Sequence, residues 1–162
     1  MLKRIYADNY RSLVNFDCSF SARQLILGAN DSGKSSLFDI LTMLRDFCVR
    51  GDLFTNELIT PRFGTETRTR RQNVEAQSFE LDVAGNGGDY HFNLVIDPKN
   101  YHEEPKVIEE KITFDGATIF QFLEGEVHLF NDRYEDKVQY PFDWRRSALA
   151  TVAERRDNTK TP

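Results

Sequence analysis

The sequence predicts a mixed α/β (α+β) fold, in which a small sheet around one helix is followed by an antiparallel β-subdomain. The N-terminal part of the chain shows short apolar strand patterns and then one amphipathic helical pattern. Residues 77–142 instead alternate apolar and polar positions between turns that contain Gly, Asn or Asp, which is typical of an antiparallel meander. A chain of 162 residues is long enough for one compact domain.

The N-terminal segment, residues 1–50, contains three predicted strands. Alternating apolar positions predict strands over residues 2–6 and 13–20, with a turn over residues 9–12 between them. The short apolar run over residues 24–27 predicts a third strand, which should be buried on both faces.

One long helix is predicted after these strands. The apolar spacing becomes helical from Lys34, and Gly51 indicates where the helix ends. Residues 51–76 are largely polar and predict a long loop. The predicted apolar stripe of the helix comprises Leu37, Phe38, Ile40, Leu41, Leu44, Phe47 and Cys48.

The rest of the chain is predicted to be mostly β-strand. Segment 77–142 should form an antiparallel meander of five or six strands. Segment 143–162 should consist of a helix over residues 145–154 and a polar tail. The expected hairpin turns lie at residues 85–89, 115–116 and 131–132.

Composition excludes several classes of protein. No apolar run approaches the roughly 20 residues that a membrane-spanning helix needs. The charged, alternating N-terminus does not resemble a signal peptide, so we expect a cytoplasmic protein without membrane contact. Cys18 and Cys48 have no paired spacing and are expected to be reduced thiols. The net charge of −5 disfavours DNA binding by the surface as a whole.

The stretch GANDSGKS, which begins at Gly28, matches G-x-x-x-x-G-K-[ST] at every fixed position. Gly28 and Gly33 would let the backbone turn sharply and approach phosphate oxygens. Lys34 would place its charge between the β- and γ-phosphates, and the Ser35 hydroxyl would ligate Mg²⁺. Ser36 would add a hydroxyl near the α-phosphate. The motif follows an apolar run and opens a helix, which is the context that a phosphate-binding loop requires.

The segments NYRSL (9–13) and GANDSGKSSLFDIL (28–41) together resemble the start of an ABC-type ATPase head of the SMC/RecF class. Among such heads the sequence is most similar to the bacterial AAA-family ATPases, which include the OLD nucleases and anti-phage ATPases. The resemblance implies that Asn30 lies beside the phosphates and that Arg11 and Ser12 form a turn beside the nucleotide. Arg11 could then pair with a phosphate, or it could be a surface turn residue.

The resemblance implies ATP and Mg²⁺ as cofactors, with Ser35 as the metal ligand. One loop position departs from the pattern, because Asp31 stands where many members have Gly. Asp tolerates a left-handed backbone, but its charge would weaken triphosphate binding unless it faces solvent. The predicted nucleotide-binding residues are Gly28, Asn30, Asp31, Ser32, Gly33, Lys34, Ser35, Ser36, Arg11 and Ser12.

Heads of this class hydrolyse ATP with a second motif, an apolar run that ends in Asp-Glu, and this chain lacks it. The nearest candidate is Asp97, which Pro98 follows. An LSGGQ-like signature and a convincing glutamine loop are also absent from the sequence. The resemblance therefore implies an N-terminal lobe, or half-head, that is inactive in hydrolysis alone and has the C-terminal half of the same head as its partner.

Two functions stay open on the sequence. The first is an ATP-binding lobe of an ATPase head. Two such heads would dimerise when ATP binds, in DNA repair, chromosome maintenance or phage defence, and the full-length protein would bind DNA. The second is a stand-alone interaction module with a relic or regulatory loop. A small kinase or GTPase is disfavoured, because no βα alternation follows the helix and no N-K-x-D motif is present. An unpaired sheet edge would also favour homodimers.

Overall fold

A computed structural model describes residues 1–30, 32–51, 63, 65–70, 72–98, 105–131 and 133–152. These residues form one antiparallel sheet and one α-helix, with two 3₁₀ turns at Thr65–Thr67 and Leu149–Thr151. The elements are β1 (Leu2–Asp8), β2 (Phe16–Ser19), α1 (Lys34–Arg50), β3 (Gln77–Gly85), β4 (Gly88–Asp97), β5 (Lys106–Phe114), β6 (Ala117–Leu123), β7 (Glu126–Phe130) and β8 (Asp136–Pro141).

The eight strands lie in the order β2-β1-β3-β4-β5-β6-β7-β8, and every neighbouring pair is antiparallel. The prediction of a separate N-terminal sheet beside a β-subdomain is therefore wrong. Strand β1 pairs directly with β3, with Ile5 opposite Leu81 and Ala7 opposite Phe79. Because these residues point to the same face, β1 extends the apolar surface of the meander rather than forming another.

The predicted meander is confirmed as β3 to β8. Three of its hairpins use two-residue turns in which both residues have positive φ, the backbone that matches the twist of the flanking strands. Asn or Asp before Gly supplies this conformation in two of the turns. The three pairs are Asn86–Gly87, Asp115–Gly116 and Glu124–Gly125.

Helix α1 begins after Gly33 and ends at Gly51, whose N–H donates to the Phe47 carbonyl at 3.2 Å. The predicted helix and its C-terminal glycine are thus confirmed. Phe38 is 57% exposed, so its place in the apolar stripe was predicted wrongly. Its position shares a helix face with Thr42 and Arg45, on the solvent side. The buried apolar residues of α1 are Leu37, Ile40, Met43, Leu44 and Phe47.

Phe63 joins the helix to the sheet, although it lies in the segment predicted as a polar loop. Its ring is fully buried and meets Phe47 edge-on at 5.5 Å and Phe79 at 6.2 Å between centroids. The described part of this segment therefore contributes to the core. The rest of it, residues 52–62 and residues 64 and 71, lies outside the described residues.

The strand predicted over residues 24–27 does not form. Leu25 and Leu27 are 78% and 80% exposed, and only Ile26 packs against the core. A strand needs a neighbour for its backbone hydrogen bonds, and none of the eight described strands pairs with this segment. The strand predicted over residues 13–20 is also shorter, because Asn15 has φ 45° and ends the turn immediately before β2.

The helix predicted over residues 145–154 is wrong in its described part. That part contains only the 3₁₀ turn Leu149–Thr151. The N–H groups of Ala148 and Leu149 donate to the buried carboxyl of Glu110, and the Ser147 hydroxyl donates to the same group. These bonds to β5 replace a helical hydrogen-bond ladder. Residues 153–162, including the predicted tail, lie outside the described residues.

Candidate phosphate-binding site

A cavity of about 400 Å³ lies where the turn after β1 meets the N-terminus of α1. The turn supplies one wall and the start of the helix supplies the other. Most residues that the sequence singled out therefore lie together, although their binding roles stay predictions. The lining residues are Arg11, Ser12, Asn30, Gly33, Lys34, Ser35 and Ser36.

The N-terminus of α1 faces this cavity without a side-chain cap from the described part of the chain. Gly33 occupies the N-cap position with φ 91°, and the first turn contains no acidic residue. The first N–H groups of a helix have no partner within the helix, and its dipole makes that end positive. The arrangement therefore suits an anion, as it does at other helix N-termini.

The ammonium of Lys34 bends back over the glycine loop. Its Nζ atom donates to the carbonyl oxygens of Gly28 at 2.7 Å and Ala29 at 2.5 Å, and it lies 3.3 Å from Ser32 Oγ. All three acceptors are neutral, so the positive charge is hydrogen-bonded but not neutralised by them. Phosphate oxygens would be stronger acceptors for the same group. Gly28 and Ser32 thus contact Lys34, whereas Asp31 lies outside the described residues.

Gly33 is required by both its backbone and its surroundings. A Cβ atom at this position would lie 2.8 Å from Leu13 Cδ2 and 3.2 Å from Ser12 Oγ. Any larger residue would push the turn away from the helix, and the positive φ would be strained besides. A Cβ on Gly28 would meet Ser32 Oγ at 2.5 Å, but that hydroxyl can rotate away.

Arg11 stands at the edge of the cavity with φ 52° and forms an ion pair with Asp39 of α1 through Nη1 and Oδ2. Its guanidinium also lies over the Tyr10 ring, 5.4 Å from the centroid. Arg11 therefore lies where a phosphate could reach it and is also a half-exposed turn residue. Both interpretations of Arg11 from the sequence fit this geometry.

The hydroxyl groups differ in exposure. Ser12 and Ser35 are both exposed, whereas Ser36 is only 7% exposed. Among the described residues no cluster of three His, Cys, Asp or Glu side chains could hold a metal ion. A Mg²⁺ ion at Ser35 would therefore rely on phosphate oxygens and water for its other ligands, as Mg²⁺ commonly does in nucleotide sites.

Sequence reasoning missed three residues that shape the cavity. Leu13 packs against Gly33, Asp39 pairs with Arg11, and the Thr67 carbonyl accepts the Arg11 N–H at 2.6 Å. Asp39 could have been found, because it lies four residues after Ser35 and so shares its helix face. No sequence pattern marks Leu13 or Thr67 as a site residue, because each contacts a segment that is distant in the sequence.

A glycine loop that opens a helix with a lysine and a serine defines the P-loop class of nucleotide-binding proteins. A family model described as "AAA domain, putative AbiEii toxin, Type IV TA system" matches residues 25–149. The chain belongs to this AAA-domain family. No curated protein matches the chain.

The family indicates nucleotide binding of the P-loop ATPase type, with Mg²⁺ as the usual companion ion. The match begins three residues before Gly28 and extends to Leu149, so it includes the glycine loop, α1 and the strands from β3 to β8. The described sheet is antiparallel throughout, which is not typical of a P-loop fold. No described helix is both long and apolar enough to cross a membrane.

Proposed function

We propose that this chain is the ATP-binding lobe of an ABC-type ATPase head of the SMC/RecF class. One observation carries the proposal: Lys34, Arg11 and the uncapped N-terminus of α1 converge on one cavity. Asp39 is the only carboxylate paired there among the described residues, so positive groups prevail at the cavity. Such a site favours a polyanion over a neutral ligand.

The roles of the residues follow from this arrangement. Lys34 exchanges the Gly28 and Ala29 carbonyls for phosphate oxygens, and the first N–H groups of α1 donate to the same phosphates. Ser12 and Arg11 close the site from the side of the turn. The Ser35 hydroxyl would hold Mg²⁺, which would supply charge neutralisation at the phosphates.

Hydrolysis requires a group that orients water, and the described part of the chain provides none at this cavity. The Asp39 carboxylate is engaged by Arg11, and the sequence has no apolar run that ends in Asp-Glu. We therefore propose that a further segment, the C-terminal half of the head, completes the site. The exposed Leu25 and Leu27 support this, because an apolar segment beside the loop is available for pairing.

In the complete protein, ATP would clamp two heads together during DNA repair, chromosome maintenance or phage defence. The net charge of −5 disfavours DNA binding by the surface of this lobe as a whole, so we propose that DNA contacts a local basic patch or another part of the full-length protein. Because ATP would join two copies of the same head, we also propose that the protein forms a homodimer.

Calorimetric titration with Mg·ATP tests the binding proposal. Wild type should bind, and Lys34→Ala should bind at least about tenfold more weakly, because a charge-assisted contact to phosphate is lost. Lys3→Ala is the matched control, since Lys3 pairs with Asp89 on the sheet and lies outside the cavity lining. Equal binding by wild type and Lys34→Ala, or no binding by wild type, would contradict the proposal.

A second candidate is an interaction module with a relic loop. The observation that favours it is the exposure of Leu25, Leu27 and Phe38, which leaves large apolar side chains for a protein partner. Under this alternative, Lys34→Ala would leave partner binding unchanged, whereas Leu27→Asp would abolish it. If the chain is instead an ATP-binding lobe, Lys34→Ala should weaken nucleotide binding and Leu27→Asp should leave it unchanged.

A further inference from the structure

The turn between β1 and β2 decides the width of the cavity. Arg11 and Ser12 line the cavity from this turn, and Leu13 Cδ2 lies directly against Gly33. If the turn moved away from the helix, Arg11 and Ser12 would no longer face the N-terminus of α1. The positions of Arg11 and Ser12 in the site therefore depend on the contacts that keep the turn against the helix.

The turn has an unusual backbone shape, with positive φ at three residues: Asn9 at 57°, Arg11 at 52° and Asn15 at 45°. Asn tolerates this region of φ, whereas in Arg11 it costs conformational free energy. Two backbone hydrogen bonds of 3.2 and 2.8 Å join Tyr10 and Leu13 within the turn, and the Asn15 N–H donates to Asp8 Oδ1 at its base at 2.9 Å. The strained shape must be stabilised by contacts from outside the turn.

Asn9 supplies these contacts through a fully buried side chain. Its Nδ2 atom donates to the carbonyl oxygens of Val74 at 2.8 Å and Ala76 at 2.9 Å. Its Oδ1 atom accepts the Thr69 N–H at 3.1 Å. One amide thus joins the turn to two separate stretches of the chain that precede β3, and it uses both ends of the side chain to do so.

Neighbouring bonds reinforce the same junction. Gln77 Nε2 donates to the backbone oxygen of Asn9 at 2.9 Å, and the Thr69 hydroxyl donates to the Leu13 carbonyl at 3.3 Å. The Arg11 N–H donates to the Thr67 carbonyl. Asn9 and Gln77 are both fully buried, so the hydrogen bond between them is shielded from competition by water.

We propose that Asn9 is a positioning residue for the nucleotide site: its side chain fixes the turn against Gly33 so that Arg11 and Ser12 face the phosphates before ligand arrives. The inference rests on the proposed function and deepens it. A site whose walls are fixed in advance loses less binding free energy to ordering them. Removing the side-chain hydrogen bonds of Asn9 should therefore weaken nucleotide binding. The loss of affinity should exceed that seen in a variant with an equal loss of folding stability elsewhere.

The test uses Asn9→Gly, because glycine accepts the positive φ and so removes the side-chain bonds without straining the folded backbone. The greater freedom of glycine in the unfolded chain lowers the melting temperature but leaves the geometry of the folded site unchanged. Asn131→Ala is the matched control. Asn131 also braces a turn through its side chain, accepting the N–H groups of Arg133 at 2.9 Å and Glu135 at 3.0 Å. That turn joins β7 and β8, which lie at the opposite end of the sheet from β1 and β2.

Three measurements are made on each variant: the Kd for Mg·ATP, the melting temperature and the amide NMR signals of Ser12, Gly33 and Lys34. Asn9→Gly should raise the Kd roughly tenfold and shift these signals, since it deletes several buried hydrogen bonds. Asn131→Ala should lower the melting temperature while leaving the Kd and these signals unchanged.

Wild-type Kd and unchanged amide signals in Asn9→Gly would overturn the inference. If wild type binds no ATP, the proposed function fails, but the amide signals still decide whether Asn9 positions the wall. Should Asn9→Gly fail to fold, Asn9→Asp replaces it, since this change keeps the oxygen that accepts the Thr69 N–H and removes the donor to the Val74 and Ala76 carbonyls. It should shift the Gly33 signal and raise the Kd, and no change in either would overturn the inference.

Discussion

The guanidinium of Arg11 is paired with the carboxylate of Asp39, and this ion pair spans from the β1–β2 turn to the second turn of α1. Both side chains are about two-fifths exposed, so the pair is well solvated. The pair holds Arg11 at the cavity and also occupies part of its charge. A phosphate would compete with Asp39 for the same guanidinium.

Asp39→Asn should therefore strengthen Mg·ATP binding, by no more than about fivefold, because exposed ion pairs are worth at most about 1 kcal/mol. Arg11→Ala should weaken it. Titration calorimetry at low and high salt measures both effects, and the gain should shrink as salt is added. A loss of affinity in Asp39→Asn would mean instead that Asp39 orients Arg11 for the ligand.

Gly33→Ala should destabilise the protein and abolish nucleotide binding. The added methyl group would meet Leu13 Cδ2 at 2.8 Å on a backbone with φ 91°. Gly87→Ala is the matched control, because Gly87 has φ 81° and a methyl group added there would meet no atom within 4 Å. Urea unfolding should show a cost of roughly 1 kcal/mol in the control, from φ alone, and a larger cost in Gly33→Ala. Equal costs would show that the contact with Leu13 is easily relieved.

Glu110 predicts a pH dependence of stability. Burial raises the pKa of this carboxyl from 4.5 to about 7, against the opposing effect of its bonds to Ser147, Leu149 and Ala148. Since the folded pKa exceeds the unfolded one, the contribution to stability is complete below pH 4.5 and is lost as the pH rises through about 7. A pKa displacement of this size corresponds to a contribution of at most about 3 kcal/mol to the free energy of unfolding.

Urea unfolding of Glu110→Gln at a series of pH values tests this account. The glutamine stays neutral and can still accept the N–H groups of Ala148 and Leu149, so the part of the pH dependence due to Glu110 should vanish. Cys48 is the titratable neighbour, with its Sγ atom 4.0 Å from Glu110, and Cys48→Ala controls for it. An unchanged slope between about pH 5 and 7, a window set by the two pKa values, would contradict the assignment.

Phe63→Ala should cost about 3–5 kcal/mol, because the ring is fully buried between Phe47 and Phe79. Phe38→Ala is the control, since that ring is 57% exposed on the outer face of α1. The control should change the free energy of unfolding by less than about 0.5 kcal/mol. Similar costs for both variants would place Phe63 outside the core.

The parts of the fold that local chemistry dictates could be predicted from the sequence. Asn86–Gly87 and Asp115–Gly116 supply positive φ at adjacent positions, and so their hairpins were found with the strands on either side. Gly51 likewise indicated the end of α1. The glycine loop was found because its motif states which backbone conformation and which charge are needed.

Features that depend on distant partners could not be predicted. The run over residues 24–27 is as apolar as a buried strand, but an apolar pattern does not show whether a neighbouring strand is present. Phe63 is a single aromatic residue in a polar segment, so no periodicity marks it. Asn9 looks like an ordinary turn residue in the sequence, because its hydrogen-bond partners Thr69, Val74 and Gln77 lie 60 to 68 residues further along the chain.

The most direct test of the central claim is an amide NMR titration of the wild-type protein with Mg·ATP. We expect saturable shifts of the Gly33, Lys34 and Ser35 amides, because these N–H groups would donate to phosphate, and unchanged signals in β7 and β8. The shifts should disappear in Lys34→Ala. Unmoved signals at the start of α1 at saturating nucleotide, or shifts confined to another part of the sheet, would contradict the claim that this helix terminus binds the phosphates.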